Sequence, residues 1–92
     1  MNWIECVVDN DYEIQTEYPY QIRRKADKKI VNEYKCNTGF TYCYFNKKEY
    51  CKHRIIALQF IPNPDNLRVV NHINHDKTDN HIQNLQWAKH HN

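Results

Sequence analysis

The spacing of apolar and polar positions changes character once along this chain. Up to about residue 52 the apolar residues come in short, roughly alternating runs, the period of a half-buried strand. Residues 12–15, 19–24 and 29–35 (KIVNEYK) read as short strands. Residues 37–39 (NTG) are turn-forming, and 40–46 (FTYCYFN) is rich in the aromatic and β-branched residues that strands favour. A turn at 46–48 then leads into a strand at 49–51. The first half is expected to be a small antiparallel sheet built from hairpins.

After residue 52 the period lengthens. In 53–61 (HRIIALQFI), Ile55, Leu58 and Gln59 fall on one side, and Ile56 and Phe60 lie four apart. That spacing predicts one helix with its apolar stripe packed on the sheet. It ends before Pro62, because proline disfavours helical backbone in the preceding residue. Residues 68–73 (RVVNHI) form a strand, 74–80 (NHDKTDN) a polar loop, and 85–88 (LQWA) a strand that pairs back on the first. The fold class is α+β, and Phe60 and Trp87 are the expected core anchors.

Ninety-two residues suit one domain near the lower size limit for a self-sufficient core. Seven Tyr, two Trp and three Phe can fill that core. No run approaches the ~20 apolar residues that span a bilayer, and no apolar run follows a basic N-terminus. The expected setting is intracellular, cytoplasmic or nuclear, with Cys6, Cys36, Cys43 and Cys51 as reduced thiols. No two of them form a Cys-x-x-Cys pair. A structural zinc site joining some of them to a histidine stays open, although the spacings match no common zinc pattern.

The net charge of +2 hides a segregation. Residues 1–19 hold Glu5, Asp9, Asp11, Glu13 and Glu17 with no Lys or Arg. Most of the positive charge lies in 20–55, with Arg23, Arg24, Lys25, Lys47, Lys48 and Arg54 among its members. A basic middle suits a phosphate-binding surface, since each neutralised phosphate releases condensed counterions. A solvated charged face suits the charge pattern equally well.

The last third concentrates a different chemistry: Asn71, His72, His75, Asp76, Asp79, Asn80, His81, Asn84 and the terminal His90, His91 and Asn92. Phosphodiester hydrolysis needs a base to activate water and a divalent cation to stabilise the developing charge. Histidine titrates near neutrality and suits the first role. Asn or Asp oxygens suit Mg²⁺ for the second. Neighbours on a strand point to opposite faces, so Asn71 and His72 cooperate only where the strand ends. The returning strand is expected to bring Asn84 alongside the His72 ring. Turn and cap roles for these asparagines remain the competing account.

HRIIALQFIPNP followed by VVNHINHDKTDNHIQNLQW resembles the HNH (ββα-metal, His-Me finger) homing endonucleases. Order and spacing hold from His53 to Trp87. The upstream DYEIQTEYPYQIRRKADKKIV resembles, more loosely, a nuclease-associated DNA-binding module. The resemblance implies a β-rich module over 1–52 and an HNH-like domain over 53–92, together one compact unit. It implies His72 as general base, Asn84 as the residue orienting it, and Asn71 at a metal-binding position. The DNA-binding residues would be Arg23, Arg24, Lys25, Lys47, Lys48 and Arg54. The cation would be Mg²⁺ or Mn²⁺, and the partner double-stranded DNA, with no membrane.

Two departures stand out. Asn74-His75 occupies the place of the family's Asp-Gly. The family closes with a helix bearing a second metal ligand about nine residues past the orienting Asn, some two and a half helical turns. Here the chain stops just short, so that helix is expected to be truncated, with His91 or Asn92 standing in as ligand if the register slips. Three functions therefore stay open: an HNH-type DNA endonuclease, a related DNA-binding module that no longer cuts, and a structural zinc-binding interaction domain.

Overall fold

A computed structural model describes residues 2–90 and shows a small α+β fold of three antiparallel sheets and one α-helix. The first sheet comprises β1 (Trp3–Glu5), β2 (Tyr12–Gln15) and β3 (Ile22–Arg24), in that order. The second comprises β4 (Asn32–Lys35), β5 (Thr41–Phe45) and β6 (Lys48–Cys51). Helix α1 (Lys52–Phe60) follows directly, and β7 (Val69–His72) and β8 (Leu85–Ala88) form the third sheet. A single 3-10 turn, Ile82–Asn84, leads into β8.

The expected single sheet of the first half is thus two sheets, the first of which includes a strand, β1, that the sequence pattern did not suggest. The division falls at 25–31, where Lys28 takes a left-handed backbone (φ 62°). The chain turns there, and β3 and the approach to β4 are joined by one bridge, Arg23 to Ile30. The β5–β6 hairpin closes on Phe45 and Lys48 through Asn46 (φ 50°) and Lys47 (φ 65°). Two successive positive φ values give the turn that matches the right-handed strand twist.

The three sheets share one hydrophobic cluster. Tyr12, Ile14 and Ile22 come from the first sheet, Cys43 and Phe45 from the second, Ile55, Ile56 and Ala57 from α1, and Val70 and Leu85 from the third. Phe60 and Trp87, the expected anchors, flank this cluster half-buried. The ring nitrogen of Trp87 explains its place, since it donates to the Ile61 carbonyl (3.1 Å) at the helix end. Leu58 is 42% exposed, so the helix buries a narrower face than its pattern suggested.

Lys52 is the unexpected core residue. Its side chain is 2% exposed, and its ammonium donates to the Tyr20 carbonyl (2.7 Å) and the Glu33 carboxylate (2.5 Å). One buried cation thereby joins the β2–β3 connection, β4 and the start of α1. A buried charge is tolerated only with such partners.

Candidate active site at the end of the third sheet

The β7–β8 ladder pairs Asn71 with Gln86 and His72 with Leu85. His72 is therefore the last residue of its strand, and Asn84 immediately precedes its partner. Between them the polar loop is tied to itself. Asp76 accepts from the Thr78 backbone (3.0 Å) and hydroxyl (2.6 Å), and Asp79 from the His81 backbone (3.3 Å) and Nδ1 (2.6 Å). Such i to i+2 bonds are the local habit of aspartate. The Thr78 hydroxyl holds Asp76 below its ordinary carboxylate range, and His81 does the same for Asp79. His75 takes a left-handed backbone (φ 65°) where the resemblance leads one to expect glycine.

Asn84 does not contact the ring as expected. Its side-chain nitrogen donates to Asn74 Oδ1 (2.9 Å) and the Asp79 carbonyl (2.9 Å), while its Oδ1 accepts from the Asn74 backbone (3.0 Å). It clasps both ends of the loop. The side chain that meets the imidazole is Asn80, whose Oδ1 lies 2.8 Å from His72 Nε2. Both residues are buried, His72 being 6% and Asn80 7% exposed. The reason is geometric: the clasp from Asn84 turns the loop so that its last residue, not the start of the returning strand, faces the ring. An amide oxygen only accepts, so Nε2 carries the proton and Nδ1 is the basic nitrogen.

Two further rings define the surroundings. His53, on the first turn of α1, has its centroid 4.9 Å from that of His72. Phe40, entering β5, lies 5.2 Å from His53 and 6.1 Å from His72. In the sequence Asn80 stands among the polar residues of the last third and His53 starts the resembling stretch, but neither of them, nor Phe40, was given a role at the site. Asn80 carried a usable signal, since a loop closed by Asp76 and Asp79 returns the chain at that residue.

Asn71 is buried, and its side-chain nitrogen donates to the His90 carbonyl (3.0 Å). Lys89 and His90 form a bend after β8, with that carbonyl engaged by Asn71, so the described residues contain no start of a closing helix. His91 and Asn92, the other expected ligands, lie outside the described residues. Among the described residues no three His, Cys, Asp or Glu side chains gather as a metal centre. Of the three expected ligands only Asn71 lies among the described residues, so these do not make up the expected divalent-cation site. The four cysteines are free thiols, Cys6 and Cys43 buried and Cys36 and Cys51 half-buried. No described helix is long and apolar enough to cross a membrane.

The expected DNA-binding cations divide into two groups. Arg23 is bound to Glu13 (2.6 Å) and stacked on Trp3 (3.9 Å), and Lys25 is bound to Glu5 (2.7 Å). The acidic N-terminal segment thus neutralises part of the basic middle. Arg24 stands 4.0 Å from Asp27. Arg54 donates to the Arg68 carbonyl (2.6 Å) and lies over Trp87 at 5.5 Å. Lys47 and Lys48 are exposed at the β5–β6 turn and make no ion pair among the described residues.

Residues 50–92 match the family model for HNH endonuclease. Two relatives come from Acanthamoeba polyphaga mimivirus. The one named Uncharacterized HNH endonuclease L247 is 57% identical over 38 residues, 39% of this chain and 10% of the relative. The one named Uncharacterized HNH endonuclease L245 is 44% identical over 41 residues, 45% of this chain and 12% of the relative. The chain therefore spans about a tenth of the length of either relative. No solved structure matches it.

Proposed function

Over residues 50–92 the chain belongs to the HNH endonuclease family, and from that premise we propose that it binds double-stranded DNA and hydrolyses its phosphodiester bonds. The observation that carries this reading is the imidazole of His72, held at a strand end through Nε2 by Asn80 (2.8 Å) with Nδ1 left basic. In the proposed step Nδ1 takes a proton from water as the water oxygen bonds to phosphorus. The bond from phosphorus to the leaving sugar oxygen breaks, that oxygen takes a proton from a solvent water, and the imidazolium of His72 returns its proton to the resulting hydroxide. His72 is the catalytic base, Asn80 positions its ring, and Asn84 positions the loop that carries Asn80. Fixing an imidazole's tautomer through its second nitrogen is the usual way such a base is made competent.

HNH nucleases in general use a divalent cation, which would stabilise the charge building on the phosphate. Mg²⁺ or Mn²⁺ belongs to the reading with Asn71 as one oxygen donor, but no step is assigned to the ion. Residues 1–52 act in this reading as the DNA-binding module, contacting phosphate through Arg24, Lys47 and Lys48 more than through the paired Arg23 and Lys25.

The incomplete donor set supports a second reading, a DNA-binding module of HNH ancestry that no longer cuts. Supercoiled plasmid incubated with Mg²⁺ or Mn²⁺ separates the two. Nicking or linearisation by the wild type, lost in His72→Ala, is the result expected of a nuclease. Retardation of DNA on a gel with the plasmid left intact in both cases would establish the second.

A further inference from the structure

The polar loop presents one lysine near the His72 site that makes no ion pair among the described residues. Lys77 is exposed at the middle of the 74–80 loop. Its stem runs so close to Gly39 that a methyl group there would touch it, the Lys77 Cβ lying 3.7 Å away. Its ammonium sits over the ring of Phe40, 4.7 Å from the centroid. Both carboxylates of the loop are engaged by other partners, Asp76 by Thr78 and Asp79 by Asn74 and His81. Among the described residues Lys77 makes no ion pair, in contrast to Arg23, Lys25, Lys28 and Lys52.

Phe40 places this charge relative to the base. Its ring centroid is 6.1 Å from that of His72 and 4.7 Å from the ammonium. The two groups are therefore no more than about 11 Å apart, near enough for one phosphate to be reached by the lysine while a water on it is reached by the imidazole. An aromatic face holds a cation without neutralising it, and the clasped loop fixes the direction from which the lysine reaches.

We infer that Lys77 binds a non-bridging oxygen of the DNA phosphate presented to His72, as a phosphate ligand of the reacting group. This rests on the nuclease reading for the identity of that phosphate, but contact with DNA phosphate can be measured without cleavage. Its role would be to hold the phosphate and to stabilise the charge that grows on its oxygens during attack.

The test compares Lys77→Met and Lys77→Arg with the wild-type 92-residue chain. Methionine keeps an unbranched stem against Phe40 and removes the charge, and arginine restores the charge. Binding of a fluorescent DNA duplex is measured across a salt series, alongside plasmid cleavage. Lys77→Met is expected to flatten the slope of log affinity against log salt by about 0.9, with Lys77→Arg retaining it. Where the wild type cuts, Lys77→Met is expected to lower the turnover number roughly 100-fold, with partial rescue by arginine. An unchanged salt slope in Lys77→Met overturns the inference even if His72-dependent cleavage is observed. Loss of slope without cleavage by any variant upholds the phosphate contact and overturns the nuclease reading instead. A wild-type chain that binds no DNA overturns both.

Discussion

Removing the carboxamide of Asn84 should loosen the loop, while removing that of Asn80 should free the ring of His72. In Asn84→Ala three hydrogen bonds of 2.9–3.0 Å are lost at once, and Asn84 is 8% exposed. Each is worth about 0.5–1.5 kcal/mol net. Because Asn74 is exposed, water will replace part of the loss, so about 2–3 kcal/mol is expected. In a domain of this size that lowers Tm by roughly 10–20 °C. Asn80→Ala loses the hydrogen bond to Nε2 and should cost about 1 kcal/mol. Two local readouts separate the roles. Hydrogen exchange of the Asn74 amide, which donates to Asn84 Oδ1, should accelerate most in Asn84→Ala. The imidazole nitrogen signals of His72 should shift most in Asn80→Ala. If Asn84→Ala perturbs the imidazole more than Asn80→Ala does while Asn74 exchange stays slow, the division of labour between the two asparagines is wrong.

Three other consequences are open to measurement. Glu33→Ala strands the buried Lys52 ammonium on the Tyr20 carbonyl alone and should cost about 3 kcal/mol, against about 1–2 for Lys52→Met, which lets the 30% exposed Glu33 turn to water; equal costs by chemical denaturation would contradict the buried pairing. The Arg23 hydrogen bond depresses the Glu13 carboxyl below its ordinary 4.5, so its stabilisation is present above that pH and lost as pH falls through the depressed value. The difference in Tm between wild type and Glu13→Gln should thus shrink as the solution is acidified below pH 4.5, and a constant difference would show that the pair contributes nothing. Burial pushes the Cys43 thiol up to about 12 and raises Cys6 and half-buried Cys51 as well, so alkylation of the folded chain at pH 8 should modify half-buried Cys36 first and Cys43 last; early labelling of Cys43 by mass spectrometry would argue against this core.

What the sequence made legible were elements whose cause is local. The 12–15 and 85–88 strands match the observed bounds of β2 and β8, and the helix is displaced by one residue, because period and proline position act over a few residues. The sheet division was not legible, since it depends on the backbone at Lys28 and on which strand finds which partner. Nor was the burial of Lys52, because lysine is almost never fully buried without a partner and that partner, Glu33, lies nineteen residues away. The same limit governs the candidate site. His72 stood out by its chemistry, but the ring's neighbours come from α1, the entry to β5 and the end of the loop. Only the fold brings those three together.

Charge shows the same division between composition and arrangement, and it bears directly on how this chain would hold DNA. By sequence, the basic middle suited a phosphate-binding surface and a solvated charged face equally. In the fold, Glu5 and Glu13 from the first sheet bind Lys25, Arg23 and Lys28, so several of those cations face their own chain. A phosphate competing for Arg23 would have to displace both Glu13 and the stacking on Trp3, which lessens what the contact contributes. Lys47 and Lys48 at a hairpin tip and Lys77 on the clasped loop face no such competition. Charge removed at Lys47, Lys48 or Lys77 should therefore weaken DNA binding more than the same change at Arg23 or Lys25. The reverse order in a salt-dependent binding series would mean that the N-terminal acids release their partners when DNA arrives.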